Sequence, residues 1–187
     1  MPKVDLPEDL KESDLECVML DVESLDVLGA YGDGVNENDL YFSKGPEAIY
    51  MQGDVGSVDA HVTLLFGIHP SKTYVEDVYS VLDGIDWQPE DVLIESVSHF
   101  PSSMEGEDYN CVIAKVVPTA NLLSAHRALT TLTYSNRHSE YRPHVTLAYI
   151  KGSADLDEWV SRLNAAFSGK VLTPFGLNLG LYEAEID

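Results

Sequence analysis

The tetrad His-Val-Thr-Leu occurs twice, in AHVTLLF at 60–66 and in PHVTLAY at 143–149, with the two histidines 83 positions apart. In an extended strand residues i and i+2 share a face. His61 and Thr63 therefore present an imidazole beside a hydroxyl, while Val62 and Leu64 turn to the other side, and His144 and Thr146 repeat the arrangement against Val145 and Leu147. Each tetrad has an aromatic three residues beyond its threonine, Phe66 and Tyr149, and each is followed by an amphipathic stretch. A bare His-x-Thr or His-x-Ser arises cheaply, as His69-Pro70-Ser71 illustrates; the repetition carries the signal. Paired on adjacent strands, the two motifs would line one cleft with two imidazoles and two hydroxyls. Phosphodiester cleavage needs such a set: one imidazole accepts a proton from the attacking oxygen, the other donates one to the leaving oxygen, and hydroxyls bond the non-bridging oxygens. Because histidine titrates near pH 6.5, a neutral and a protonated imidazole can coexist at working pH, and this chemistry needs no metal or other cofactor.

The elements that must position these residues follow from periodicity. ECVMLDV (16–22) reads as a short buried strand, and 25–46, rich in Gly, Asn and Asp, as loops with a short helix at most. VDAHVTLLFGI (58–68) is strand-like, and Val75, Val78, Tyr79 and Leu82 at helical spacing predict a helix ending at Gly84. DVLIESVSHF (91–100) and YNCVIAKVV (109–117) flank a turn-rich segment and predict an antiparallel hairpin. Thr119 opens a helix with Leu122, Leu123, His126 and Leu129 along one side. PHVTLAYIK (143–151) is a strand, and Asp155, Asp157 and Glu158 suit the first turn of a helix carrying Trp159, Val160, Leu163 and Phe167. The pattern predicts an α+β chain: an acidic arm at 1–15, then one two-lobed domain at 16–187, with lobes at 16–117 and 118–187 between which the termini can cross.

Composition narrows the partners. Eleven basic residues against 32 acidic ones give a net charge of −21, a field that repels long polyanions from most of the surface. Residues 109–151 reverse the balance, with five basic side chains and one acidic, which suggests a local anion site ending at the second motif. The two cysteines, Cys17 and Cys111, lie in apolar stretches without metal-like spacing and read as buried thiols. No apolar run reaches the roughly 20 residues that a bilayer crossing needs, and the beginning of the sequence is acidic rather than signal-like. These features predict a cytoplasmic protein with a small-molecule substrate and neither long nucleic acid nor membrane as partner.

At this point the residues carry a resemblance. Two H-x-T motifs, each followed by a helix, in a two-lobed α+β chain are similar to the two-histidine phosphoesterase superfamily, which includes RNA 2′,3′-cyclic phosphodiesterases and bacterial 2′-5′ RNA ligases. The texture of VDAHVTLLFGIH and EYRPHVTLAYI, with ECVMLDV before them, most resembles phage-encoded members, among them anti-CBASS phosphodiesterases that destroy cyclic di- and trinucleotide immune signals. The resemblance spans roughly residues 16–180 and implies pseudo-two-fold related sheets around a central cleft with helices outside. It also implies a metal-independent phosphodiesterase with His61, Thr63, His144 and Thr146 in the catalytic positions, acting, for a phage protein, in the host cytoplasm. Arg142 and Tyr141 are candidates for phosphate contact and base stacking, with a solvated arginine and a packing tyrosine as the plain readings; Tyr50 is a further stacking candidate. Asp59 and Arg142, each two residues before a motif histidine, would make His61 the acid and His144 the base. His99, His126 and His138 have no partner spacing and read as surface or core residues. An RNA-end processing enzyme, an acidic nucleotide sponge and a DNA mimic are the other readings that this composition admits.

Overall fold

The structure is a computed structural model that describes residues 3–11, 14–41, 57–58, 60–102, 106, 108–138 and 140–181. Tyr50 and Asp59 lie outside the described residues. Strand β1 (Glu16–Val22) has five buried residues among its seven, and it buries them because antiparallel partners flank it on both sides: β4 (His61–Ile68) and β9 (Pro174–Leu181). The order of this first sheet is β4-β1-β9. The second sheet runs β7-β6-β5-β8, built from β5 (Val92–Pro101), β6 (Tyr109–Val116), β7 (His144–Lys151) and β8 (Val171–Leu172), all antiparallel. A two-residue pairing of β2 (Leu25–Asp26) with β3 (Ser57–Val58) stands apart from both.

The helices cover the apolar faces. Helix α1 (Val27–Tyr31) follows β2, α2 (Val75–Asp83) follows β4, α3 (Ala120–Leu129) follows the β5–β6 hairpin, and α4 (Leu156–Phe167) follows β7. Helix α3 packs on β4 and buries Leu122, Ala125 and Leu129; α4 packs on β5 and β6 and buries Trp159, Leu163 and Phe167. Thr119 caps α3 by accepting from the Leu122 amide, and Asp155, expected within the first turn, is instead the N-cap of α4 and accepts from the Glu158 amide, each worth about 1 kcal/mol. Trp159 is fully buried against Tyr31, with ring centroids 4.3 Å apart, and its indole N–H donates to Asp39 Oδ2 at 3.1 Å. Arg162 adds bonds to the carbonyls of Tyr31 and Asp33, so the glycine-rich segment is held down by α4.

One expectation changes. The hairpin, grouped with the first lobe by its place in the sequence, pairs with β7, so the sheets do not divide at residue 117, while the C-terminal β9 makes the crossing allowed for the termini and returns to β1. A hairpin supplies its own first pairing, but its free edge takes whichever strand matches it in three dimensions. The acidic arm is anchored at Val4: the Val4 amide donates to the Tyr134 carbonyl at 2.9 Å, and the Ser135 hydroxyl donates to the Val4 carbonyl.

Ser135 also closes on β4. Its amide donates to the Gly67 carbonyl at 2.9 Å, and Gly67 has φ +99°, a region that side chains avoid. A Cβ at Gly67 would overlap the Ser135 carbonyl oxygen. Gly67→Ala should therefore lower the unfolding free energy by at least about 2 kcal/mol, a fall in Tm of roughly 4–8 °C for a chain of this size, read in a thermal melt followed by circular dichroism.

Candidate active site

The two motif strands share one irregularity. On β4, His61 lies opposite Asp21, Val62 opposite Leu20 and Thr63 opposite Met19; the next pairs are Leu65 with Val18 and Phe66 with Cys17, so Leu64 is an extra residue. On β7, His144 lies opposite Lys115, Val145 opposite Ala114 and Thr146 opposite Ile113; Ala148 and Tyr149 then pair with Val112 and Cys111, so Leu147 is the extra residue. Both β-bulges fall on the leucine of His-Val-Thr-Leu. A bulge shifts the alternation by one, so a residue three beyond the threonine returns to the threonine's face. That is why each motif carries its aromatic at that spacing. His61, Thr63 and Phe66 share a half-buried face, and His144, Thr146 and Tyr149 share the corresponding face of β7, while both leucines point to the core.

The strands are brought together by the segment between α3 and β7. It runs along β4 in steps: the Asn136 side chain donates to the Phe66 carbonyl at 3.1 Å, and the Tyr141 hydroxyl donates to the Thr63 carbonyl at 3.0 Å. Three residues later the chain delivers His144, and β7 lies beside β4. The Tyr141 ring stacks on His126, centroids 4.1 Å apart and planes within 4°, and His126 Nδ1 donates to the Leu64 carbonyl at 2.7 Å. Burial pushes the Tyr141 hydroxyl far above its ordinary range, so it stays a donor at any working pH. Tyr141, a stacking candidate in the sequence, is thus placed as a brace between the motifs, with one ring face already occupied. Arg142 is exposed and pairs with Glu140 Oε2 at 2.8 Å; such a pair adds little stability and leaves the guanidinium at the surface beside His144.

His144 has a defined tautomer. Its Nδ1–H donates to the Arg142 carbonyl at 2.8 Å, which leaves Nε2 as the acceptor. Burial lowers its pKa below the usual imidazole value, the Arg142 carbonyl partly offsets this, and His138 lowers it further. His138 therefore belongs to the surroundings of the site, with its ring 6.3 Å from that of Phe66. Phe100 is a second residue that sequence reasoning missed: 40% exposed, it meets His144 edge to face at 5.5 Å. No spacing rule links Phe100 to His144, because β5 and β7 meet only across the intervening β6. Beside Thr146 the Cys111 thiol bonds the Thr146 and Tyr149 side chains, and burial pushes its pKa up to about 12. The Thr146 and Tyr149 hydroxyls, by bonding the sulfur, offset only part of that rise, so the thiol stays protonated. Among the described residues no group of three His, Cys, Asp or Glu side chains could hold a metal ion, and no helix is long and apolar enough to cross a membrane.

Chemically, the arrangement offers one imidazole fixed as an acceptor, a second imidazole on a neighbouring strand, and a threonine hydroxyl beside each. A family model described as the 2′-5′ RNA ligase superfamily matches residues 47–178, well over half of the chain and both motifs. No match is found among curated proteins. Among solved structures, Usb1 from Kluyveromyces marxianus is similar at 12% identity and a TM-score of 0.48, covering 91% of this chain and 99% of that one. A structure of the same protein with uridine monophosphate gives 10% identity and a TM-score of 0.48, covering 92% and 100%.

Removing the brace should separate stability from chemistry poorly, because it serves both. Tyr141→Phe keeps the ring stack but leaves the Thr63 carbonyl unsatisfied, a loss of about 1–3 kcal/mol measured by urea unfolding, and a loosened approach to His144 should lower kcat alongside it.

Proposed function

The chain belongs to the 2′-5′ RNA ligase superfamily, and on that footing we propose that it is a phosphodiesterase that cleaves small cyclic nucleotides, cyclic di- and trinucleotide immune signals in particular, by two-histidine acid–base catalysis. The observation that carries this reading is the pair of identically bulged strands that turn His61 with Thr63 and His144 with Thr146 to matching faces. In the reaction, His144 Nε2 takes the proton from the attacking oxygen, a ribose 2′-hydroxyl or a water, while His61 protonates the departing 5′-oxygen. Attack by the 2′-hydroxyl leaves a 2′,3′-cyclic phosphate, and attack by water does not. Thr63 and Thr146 bond the non-bridging oxygens, whose charge is greatest in the transition state. Arg142 exchanges Glu140 for a substrate phosphate, and the exposed Phe100 offers a stacking surface beside the reacting group. Every proton transfer runs through side chains of this chain, so no step requires a metal.

The choice of small cyclic substrates draws on the likeness of the motifs to phage anti-CBASS enzymes and on the charge of −21, which disfavours long polyanions. In this reading the protein works in the cytoplasm of a host cell. The family match favours a second reading, the processing of RNA ends that carry 2′,3′-cyclic phosphates, which the same residues could perform.

Incubation with a panel of cyclic dinucleotides, cyclic trinucleotides and 2′,3′-cyclic mononucleotides in excess EDTA, followed by chromatography, separates these readings. Cleavage of the cyclic oligonucleotides is expected; opening of 2′,3′-cyclic ends alone would move the assignment to RNA processing, and recovery of every ligand intact would leave an acidic binder. His61→Ala or His144→Ala should each lose about 10²–10⁴-fold or more in kcat, and full activity in either would end the mechanism. Thr63→Val or Thr146→Val should cost about ten- to a hundredfold, in line with roughly 1.5–3 kcal/mol for a bond to a charged oxygen. Because His144 acts in its neutral form and its pKa is lowered, the acid limb of the pH–rate curve should lie below pH 6.5, with activity falling as pH drops through it.

A further inference from the structure

The two bulged strands allow the partner strands to be superposed residue by residue. Opposite histidine, threonine and aromatic, β1 presents Asp21, Met19 and Cys17, and β6 presents Lys115, Ile113 and Cys111. Both sets end in a cysteine facing the aromatic and hold an apolar residue facing the threonine. They differ in kind only at the histidine, where one strand places a carboxylate and the other an ammonium. Directly opposed residues of an antiparallel pair share a face with Cβ atoms about 4.5–5.5 Å apart, so each charge lies within reach of its imidazole.

We infer that Asp21 is a positioning residue for His61, holding that imidazole in its protonated form, while Lys115 at the equivalent place adds its charge to the burial that keeps His144 the proton acceptor. The inference rests on the phosphodiesterase reading and adds to it what divides two otherwise like histidines into an acid and a base. A carboxylate beside an imidazole favours the cation, and an ammonium disfavours it. At His144 burial and the charge of His138 already disfavour the cation, against the Arg142 carbonyl bond, which favours it. Charged or titratable groups of the segment before β7 also face the site: His138, which opposes a charge on His144, and Glu140 with Arg142, which pair with each other. On the far side of β1 the residue opposite Asp21 is Gly176, which adds no charge.

The test uses the full-length protein and two readouts. In ligand-free protein, an NMR titration of the histidine Cε1–H signals should show the His61 midpoint moving to lower pH in Asp21→Asn, with His144 unmoved. Lys115→Met should move the His144 midpoint to higher pH and leave His61 in place. In the pH–rate curve, Asp21→Asn should pull in the basic limb, with about a tenfold loss at pH 8 and little change at pH 6, and Asp21→Glu should restore the wild-type profile. A uniform loss at every pH, or midpoints that stay where they were in both variants, would overturn the inference. If the wild type cleaves no phosphodiester at all, the phosphodiesterase reading fails while the titration still decides whether these charges divide the histidines.

Discussion

Each motif strand must turn three side chains to one face across a spacing that simple alternation forbids, and the extra leucine solves this in both places. With Leu64 and Leu147 bulged into the core, His61, Thr63 and Phe66 line up on β4, and His144, Thr146 and Tyr149 on β7. The same bulges give hydrophobic anchors to strands that lie at the edges of their sheets, Leu64 and Leu147 both being fully buried. Site and core are thus two faces of one backbone irregularity: the leucine that anchors the strand also sets the phase that turns the aromatic to the histidine's face.

A second dependence links the two sheets. The segment between α3 and β7 is tied to β4 at successive points, Ser135 to Gly67, Asn136 to Phe66 and Tyr141 to Thr63, before the chain turns into the second motif. The position of His144 relative to His61 is therefore set by backbone carbonyls of the first motif strand, not by contacts between the reactive side chains themselves. Burial keeps the Tyr141 hydroxyl and the Cys111 thiol protonated and neutral beside the site, the hydroxyl as a donor to the Thr63 carbonyl.

Much of this was legible in the sequence. The strands around both tetrads, the 75–83 and 156–167 helices with their acidic first turns, and the hairpin at 91–117 follow from period and punctuation, and the structure contains them. The aromatic three residues beyond each threonine was a visible trace of the bulge, although its meaning depended on knowing the register. Asp21 and Lys115 were also visible as charges interrupting the apolar runs ECVMLDV and CVIAKVV, but nothing local says which histidine each will face. Phe100 and His138 left no trace, since their approach to the site comes from a strand one removed in the sheet and from the path of a loop.

The amino-acid sequence by itself determined which residue types carry the chemistry, the faces on which they stand and the elements that hold them, because these depend on alternation, helical period and capping within a few neighbouring residues. Only the tertiary structure decided that the hairpin joins β7, that β9 returns to β1, that Tyr141 braces Thr63, and that a carboxylate faces one histidine while an ammonium faces the other. Those outcomes depend on which strand edges meet, and edge pairing is settled by the packing of the whole chain.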